Sequence, residues 1–385
     1  MSLMVPLLVL GTTSSAQAAP QCLGQDPTLV GTPGGEVVGT PGDDVVLSNG
    51  ATRVDTLAGA DLVCVTGGAG TLVDTGEGDD TVDAAGSGTA VDTVSTGGGR
   101  DNVLTGRSGE PMSDVVETGP GRDALFLRGL PGPGRVNAGG QGDYVYLEDR
   151  SHAEWEIDNR RGEVSTGGDP MEVEGAARFM VSSGRWASIS FLGGPDDEWL
   201  ITTNDAVSNR GSGVGVDMGG GDDLVSLRSD QASILHGGDG DDEVQITGPR
   251  KADSFVDADL ADGTVEFSGG DLAKVTAFAA VKLFGFGRNT VRLGGAPDRL
   301  LVQGCRSTVH AGGGADLVRL APAPMPCTGP PRAQALRAYG EGGSDRLQGS
   351  SGNDVLIGGA GSDVAVGRQG TDVCVAEERR KCERR

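Results

Sequence analysis

Aromatic residues make up only 4% of this 385-residue chain and hydrophobic residues 36%. That is too little bulky side chain for a large core of amphipathic helices, which argues against a doubly wound or helix-bundle enzyme. Histidine is almost absent: only His152, His236 and His310 occur, and none lies four residues from another, so the H-E-x-x-H zinc site of a metalloprotease is missing. No serine stands in G-x-S-x-G and there is no P-loop, which disfavours a lipase and a nucleotide hydrolase. Lysine is scarce too, 4 residues against 27 arginines, and the basic residues form no cluster suited to a uronate. Beyond the N-terminus no run approaches the roughly 20 apolar residues of a membrane helix. The net charge of -24 repels nucleic acid and anionic membranes and leaves cations as the natural partners.

Abundance lies elsewhere, in 68 glycines and in acids divided into 38 Asp and 17 Glu. Asp with Gly is turn chemistry, whereas acidic helices favour Glu. The chain opens with a short apolar stretch, Met1 to Leu10, followed by a polar segment and Ala16-Gln17-Ala18. This pattern predicts a secretory signal over residues 1–18, a mature chain beginning at Ala19, and a secreted or extracellular location. No Lys or Arg precedes the apolar run. Secretion makes disulfides the default use of six cysteines that form no C-x-x-C motif, although six cysteines allow 15 connectivities.

Near the C-terminus glycine and Asp recur in a fixed frame. The segments are Gly-Glu-Gly-Gly-Ser-Asp-Arg-Leu from Gly340, Gly-Ser-Ser-Gly-Asn-Asp-Val-Leu from Gly349, Gly-Gly-Ala-Gly-Ser-Asp-Val-Ala from Gly358 and Gly-Arg-Gln-Gly-Thr-Asp-Val-Cys from Gly367. Asp345, Asp354, Asp363 and Asp372 follow one another at intervals of nine residues. The pattern resembles the hemolysin-type (RTX) calcium-binding nonapeptide repeat, G-G-x-G-x-D-x-U-x. That resemblance implies a six-residue turn and a short strand per nonad, two nonads per coil, and a right-handed parallel β-solenoid or β-roll of all-β class. Glycine admits positive φ and close approach of carbonyls, and the position-six Asp offers the hard oxygen that Ca2+ prefers. Position eight, here Leu347, Leu356, Ala365 and Cys374, is expected to point inward. Turns on one edge then belong to alternate nonads, so Asp345 is expected to share an ion with Asp363, and Asp354 with Asp372. Stacked carboxylates would repel one another without cations, so calcium is expected to contribute to folding.

Looser copies extend upstream. Gly39-Thr-Pro-Gly-Asp-Asp-Val-Val places Asp44 at position six, and Asp61, Asp80, Asp101, Asp123 and Asp143 follow at intervals of 17 to 22 residues, close to one coil each. Asp92 and Asp114 precede Asp101 and Asp123 by nine residues, consistent with two strands per coil. A strand, Gly-rich turn, Asp, strand template returns around Asp223, Asp242 and Asp316. His236 and His310 occupy a slot held elsewhere by Asp or Asn and read as polar turn residues. Paired carboxylates such as Asp43-Asp44, Asp79-Asp80, Asp196-Asp197, Asp222-Asp223 and Asp241-Asp242 are too frequent to single out a glycosidase pair. In a protein built of sequence-adjacent units, neighbour pairing of cysteines fits best: Cys22 with Cys64, Cys305 with Cys327, and Cys374 with Cys382, stapling the ends and the neck of a Pro-rich loop at 321–331. The opening Ala-Pro-Gln-Cys-Leu-Gly, the closing Asp372-Val-Cys-Val and the arginine preference resemble secreted calcium-binding proteins of high-GC Gram-positive bacteria.

The organisation expected is a signal at 1–18, a degenerate solenoid at 19–149, an irregular segment at 150–215, a second degenerate solenoid at 216–339 and a tandem nonapeptide roll at 340–385. The middle segment holds Trp155, Trp186 and Trp199. A weak duplication aligns Gly162–Asp169 with Gly263–Asp271, Phe179 with Phe278, and Gly193-Gly194 with Gly294-Gly295. The function expected is a secreted, non-enzymatic, calcium-stabilised rod whose partners are calcium ions and a cell-wall or matrix polysaccharide. The alternative is a β-helix polysaccharide lyase or hydrolase that uses the tryptophans of 150–215 as a sugar platform.

Overall fold

The computed structural model describes residues 20–383 apart from 69, 87, 89, 141, 150–153, 184–187, 204–212, 229–231, 271, 324–326 and 328–333. The expected signal at 1–18, His152, Trp186 and most of the Pro-rich loop lie outside the described residues. Every regular element among the described residues is a β-strand.

Most strands are three to five residues long and carry one inward side chain between two less buried neighbours, the period-two alternation of a strand with one face on a core. A single strand of this kind buries too little to stand alone. Stacking supplies the remainder, because each strand pairs in parallel with the equivalent strand one coil later.

The parallel register makes two columns, the first unbroken and the second in separate runs. In the first, Val46, Val63, Val82, Val103, Leu125 and Val145 are successive partners. The column continues through Phe179, Leu200, Val225, Val244, Val281, Leu300, Val318, Leu347 and Ala365. In the second, Val37, Val54, Val73, Val94, Val116, Val136 and Val173 align, and near the C-terminus Ala338, Leu356 and Cys374. All of these are buried, so the core is a thin seam of mainly Val and Leu between two parallel stacks. Leu347, Leu356, Ala365 and Cys374, the position-eight residues, are fully buried in it.

Twice the second stack takes a detour. Trp155–Asp158, Glu163–Ser165 and Met171–Glu174 pair antiparallel, with Ile157 opposite Val164 and Val164 opposite Met171. About one hundred residues on, the end of Glu243–Asp259 pairs antiparallel with Thr264–Phe267, which pairs with Leu272–Thr276. The inserted central valines, Val164 and Val265, are both buried. These matching detours are the structural counterpart of the weak duplication. Through residues 155–217 the parallel pairing persists, from Asp143–Asp149 to Ala176–Ser183 to Trp199–Thr202, and from Trp155–Asp158 to Ile189–Leu192 to Gly213–Asp217.

Disulfides join Cys22 to Cys64, Cys305 to Cys327 and Cys374 to Cys382. The first ties the segment before the first coil to the strand Leu62–Thr66, and the last ties the end of the described chain to the strand Val373–Val375.

Candidate calcium ladders

Every position-six acid immediately precedes, or begins, a strand, so the stacking that aligns the core valines also aligns the acids. Parallel pairing leaves the amide at the start of each strand pointing toward the following coil, and the carboxylate there accepts it. Thus the amide of Asp44 donates to Oδ1 of Asp61 at 2.8 Å, and Asp61, Asp80, Asp101 and Asp123 donate in turn to Asp80, Asp101, Asp123 and Asp143 at 2.8 to 3.0 Å.

The ladder is interrupted at Ala176–Ser183, whose turn has no position-six acid. It resumes with Glu198 to Asp223 and Asp223 to Asp242. It resumes again with Asp298 to Asp316, Asp316 to Asp345 and Asp345 to Asp363. A second ladder runs along the other stack, from Thr71 to Asp92 to Asp114, and then from Leu336 to Asp354 to Asp372. Asp345 therefore lies with Asp363 on one ladder and Asp354 with Asp372 on the other.

Paired carboxylates have a division of labour. The first of each pair reaches forward: Oδ1 of Asp43, Asp79, Asp197 and Asp222 accepts the amide of Ala60, Arg100, Asp222 and Asp241. The second reaches back. In the middle segment the pair in this frame is Asp197-Glu198 and not Asp196-Asp197.

Sequence reading missed Glu198 and Asp298 as members of the ladder. Their turns, Gly193-Gly-Pro-Asp-Asp-Glu and Leu293-Gly-Gly-Ala-Pro-Asp, carry Asp and Ala where the nonad has its fourth-position Gly, and one exchanges Asp for Glu. The signal available was the five-residue step from Gly193 to an acid followed by an apolar strand. Glu377 and Glu383 were also missed; they accept the final amides, those of Asp363 and Asp372, each at 2.9 Å.

One oxygen of each carboxylate is thus used. The other, Oδ2 of Asp61, Asp80, Asp101 and Asp123 as well as of Asp223, Asp242, Asp316, Asp345, Asp363 and Asp372, and Oε2 of Glu198, is buried without a hydrogen-bond partner. Burying a charge in this way raises pKa. Desolvation first, and then the neighbouring carboxylates of the ladder, push Asp223 up to about 7 and Asp316 to about 6. The same cause pushes Asp101 and Asp354 to about 6 and raises Asp242, Asp345, Asp372 and Glu198.

At several carboxylates a hydroxyl group offsets part of this. Thr56, Thr75, Thr96 and Thr118 are fully buried near Asp61, Asp80, Asp101 and Asp123, but desolvation still leaves those four carboxyls raised, and the hydroxyls of Thr56, Thr75 and Thr96 donate to the carbonyls of Thr75, Thr96 and Thr118. Oδ2 of Asp44 accepts the amide and hydroxyl of Thr40 at 2.6 and 3.1 Å, and Oδ2 of Asp354 those of Ser350 at 2.6 and 3.2 Å. Thr105 donates to Asp114.

Among the described residues no three His, Cys, Asp or Glu side chains converge on one point, so a cation here must draw on backbone carbonyls as well. The turns supply them. A Cβ on Gly361 would overlap the carbonyl oxygen of Gly343, and one on Gly343 that of Gly314, while a Cβ on Gly340, Gly358 or Gly367 would overlap Oδ2 of Asp345, Asp363 or Asp372. Partnerless buried oxygens, carbonyls and space reserved by glycine fit a hard cation.

Residues 339–374 match the RTX calcium-binding nonapeptide repeat, in four copies. The chain carries an RTX-type calcium-binding repeat array. No curated protein matches the chain. The RTX match covers the four nonads, and the same amide-to-carboxylate geometry runs from them back to Asp298 and recurs as far as Asp44.

Among the described residues, Trp155 and Trp199 form no open platform. Trp155 is buried, and Trp199 lies under the guanidinium of Arg178, 4.3 Å from its ring centroid, with Tyr144 also in contact with that guanidinium. A polar cleft of about 730 Å³ lies where the acid-bearing turn is missing, lined by Asn159, Arg160, Arg161, Glu174, Asp196 and Glu198 among others. The two remaining histidines are edge groups: His236 meets the Thr276 hydroxyl at 3.0 Å, and His310 meets Glu341 at 2.8 Å while stacking on Tyr339.

Proposed function

We propose that this protein is a secreted, non-enzymatic calcium-binding rod, wound as a right-handed solenoid, that serves at a cell surface or within a polysaccharide matrix. The observation that carries the calcium reading is the stack of buried carboxylates with one oxygen unused, ending in the RTX array. Two carboxylates one strand spacing apart, roughly 4.8 Å, repel by ~3 kcal/mol at an effective dielectric of about 20. A divalent cation removes that penalty and accepts oxygens from carbonyl and carboxylate alike. Right-handed winding is supported by the general handedness of parallel strand connections, and secretion by the apolar leader and the three disulfides.

The residues offered as ligands are Asp345, Asp354, Asp363 and Asp372 in the nonads and the further ladder acids upstream, with Asp345 and Asp363 serving one ion and Asp354 and Asp372 another. Extracellular modules of this kind bind at about 0.1 to 1 mM. Equilibrium dialysis with calcium, paired with thermal melts in calcium and in chelator, tests the proposal. Bound calcium and a higher melting temperature are expected; no bound calcium and superimposable melts would refute it. Reproducible turnover of a polysaccharide by the purified chain would refute the non-enzymatic reading.

A further inference from the structure

Charge is not spread evenly along this acidic chain. Between Lys282 and Arg346 it carries nine basic residues and four acids. Three of those acids, Asp298, Asp316 and Asp345, are taken up in the ladder, and the fourth, Glu341, meets His310. The outer surface of these coils is therefore basic in a molecule whose net charge is -24.

Strand alternation decides where the arginines stand. In the second half of Ala280–Arg292 and in Arg306–His310 and Ala335–Gly343, Asn289, Ser307 and Leu336 are buried, which leaves Arg288, Arg306 and Arg337 exposed on the outer side of the second stack. Arg306 lies directly opposite Arg288, and Arg337 follows on the next strand, two positions beyond the partner of Arg306. They are 18 and 31 residues apart in the chain, so only the coiling gathers them. Arg292 and His310 on the same face each meet an acid, Asp259 and Glu341, as Lys282 and Arg299 on the other stack meet Glu243 and Asp241. Among the described residues Arg288, Arg306 and Arg337 have no such partner, and Arg288 lies over the ring of Phe255, 5.6 Å from its centroid. Like charges opposite each other on neighbouring strands are unfavourable. The fold does not require them, since the next outward pair on the same two strands is Thr290 opposite Thr308. A cleft of about 230 Å³ is lined by Ser254, Arg288 and Arg306, with Asp253 as its one acid.

We propose that this face docks a carboxylate-bearing polysaccharide, with Arg288 and Arg306 sharing one carboxylate and Arg337 engaging the strand further along. The form of the partner follows from the surroundings. Asp257 and Asp259 border the face on the preceding coil, and the rest of the rod is acidic. Duplex nucleic acid, with a charge every ~1.7 Å, or an anionic bilayer would press its phosphates against those carboxylates. A single polysaccharide strand can lie across three coils, roughly 10 Å, and avoid them. The inference rests on the matrix reading above and names the surface and the charge of the partner.

Retention of the full chain, in calcium, on immobilised carboxymethyl-dextran and on dextran, the same backbone without carboxylates, tests it. Duplex DNA and phosphatidylglycerol vesicles are run alongside. Retention on carboxymethyl-dextran alone is expected, with release as salt is raised. Arg288→Gln, Arg306→Gln and Arg337→Gln together should weaken it about tenfold. Arg319→Gln with Arg346→Gln, exposed on the outer side of the first stack, should leave it unchanged. Arg306→Glu should also weaken retention while melting no lower than the parent, because it removes a like-charge pair. Unchanged retention of the triple variant, an equal loss in the first-stack pair, or a loss explained by a lower melting temperature overturns the assignment of the face. Equal retention on both polymers would overturn the charged docking and leave the matrix reading standing, and retention on neither overturns both. Tighter binding of DNA or of vesicles would overturn the choice of partner.

Discussion

Asp223→Asn separates the charge of a ladder carboxylate from its hydrogen bond. Asp223 is 2% exposed, accepts the amide of Glu198 at 2.8 Å through Oδ1, and has Glu198 and Asp242 as ladder neighbours. Its pKa is pushed up to about 7 from 3.8, first by desolvation and then by those neighbours. A raised carboxyl pKa means that the folded state favours the proton. The associated stability is complete below about pH 4 and is lost as pH rises toward 7. At neutral pH the loss is on the order of 4 kcal/mol, and because the neighbours share the repulsion, removing one charge recovers about half. Asn still accepts the Glu198 amide, while its own NH2 enters a site that offered Oδ2 no donor, at a cost of about 1 kcal/mol. The net expectation is a gain of about 1 kcal/mol in chelator at pH 7.5, no gain at pH 5, and a smaller stabilisation by calcium than in the parent. Urea unfolding under these three conditions reads all of it. An equal loss of stability at both pH values in chelator would show that the carboxylate acts through shape or hydrogen bonding and not through charge.

In chelator the parent should itself melt higher at pH 5.5 than at pH 7.5, because Asp101, Asp316 and Asp354 are held near 6 and gain from protonation on folding. In millimolar calcium the trend should reverse, since protons then compete with the ion. Gly361→Ala puts a Cβ onto the carbonyl of Gly343 at a φ of 142°, so a loss of about 3 kcal/mol or more is expected in urea melts, with or without calcium. Glu383→Ala removes the acceptor of the Asp372 amide and should speed exchange of that amide while leaving the Asp80 amide unchanged. Reducing the three disulfides should lower the melting temperature and expose the ends first, seen as new proteolytic cuts beside Cys22 and Cys374.

The nonads were readable because every structural demand falls on a fixed residue type: glycine where a Cβ would overlap the next turn, Asp where an amide waits, an apolar residue where the seam passes. Upstream, the acids at 17 to 22 residue intervals still marked the coils. Less visible was the role of Thr56, Thr75 and Thr96, which look like imperfect repeats in sequence and in the fold are buried with their hydroxyls donating to the carbonyl of the threonine one turn on. Glu198 escaped notice because Asp196 in the place of the fourth-position Gly and the extra methylene break the motif, while the longer side chain still accepts the amide of Gly194 through Oε1, at 2.8 Å. The segment around Trp155 looked irregular since an antiparallel hairpin displaces the period there, although the partners on either side of it remain parallel.

The direction of the amide-to-carboxylate bonds bears on how such a chain changes length. Each coil borrows its acceptor from the coil that follows, and Glu377 and Glu383 discharge the last two obligations. A coil deleted or duplicated in the interior, together with its own acid, leaves the series of acceptors intact. One appended beyond Glu383 would meet amides already satisfied and would bring none of its own into register. Added turns are therefore accommodated by intercalation ahead of the strands that Glu377 and Glu383 cap, and not by extension past them.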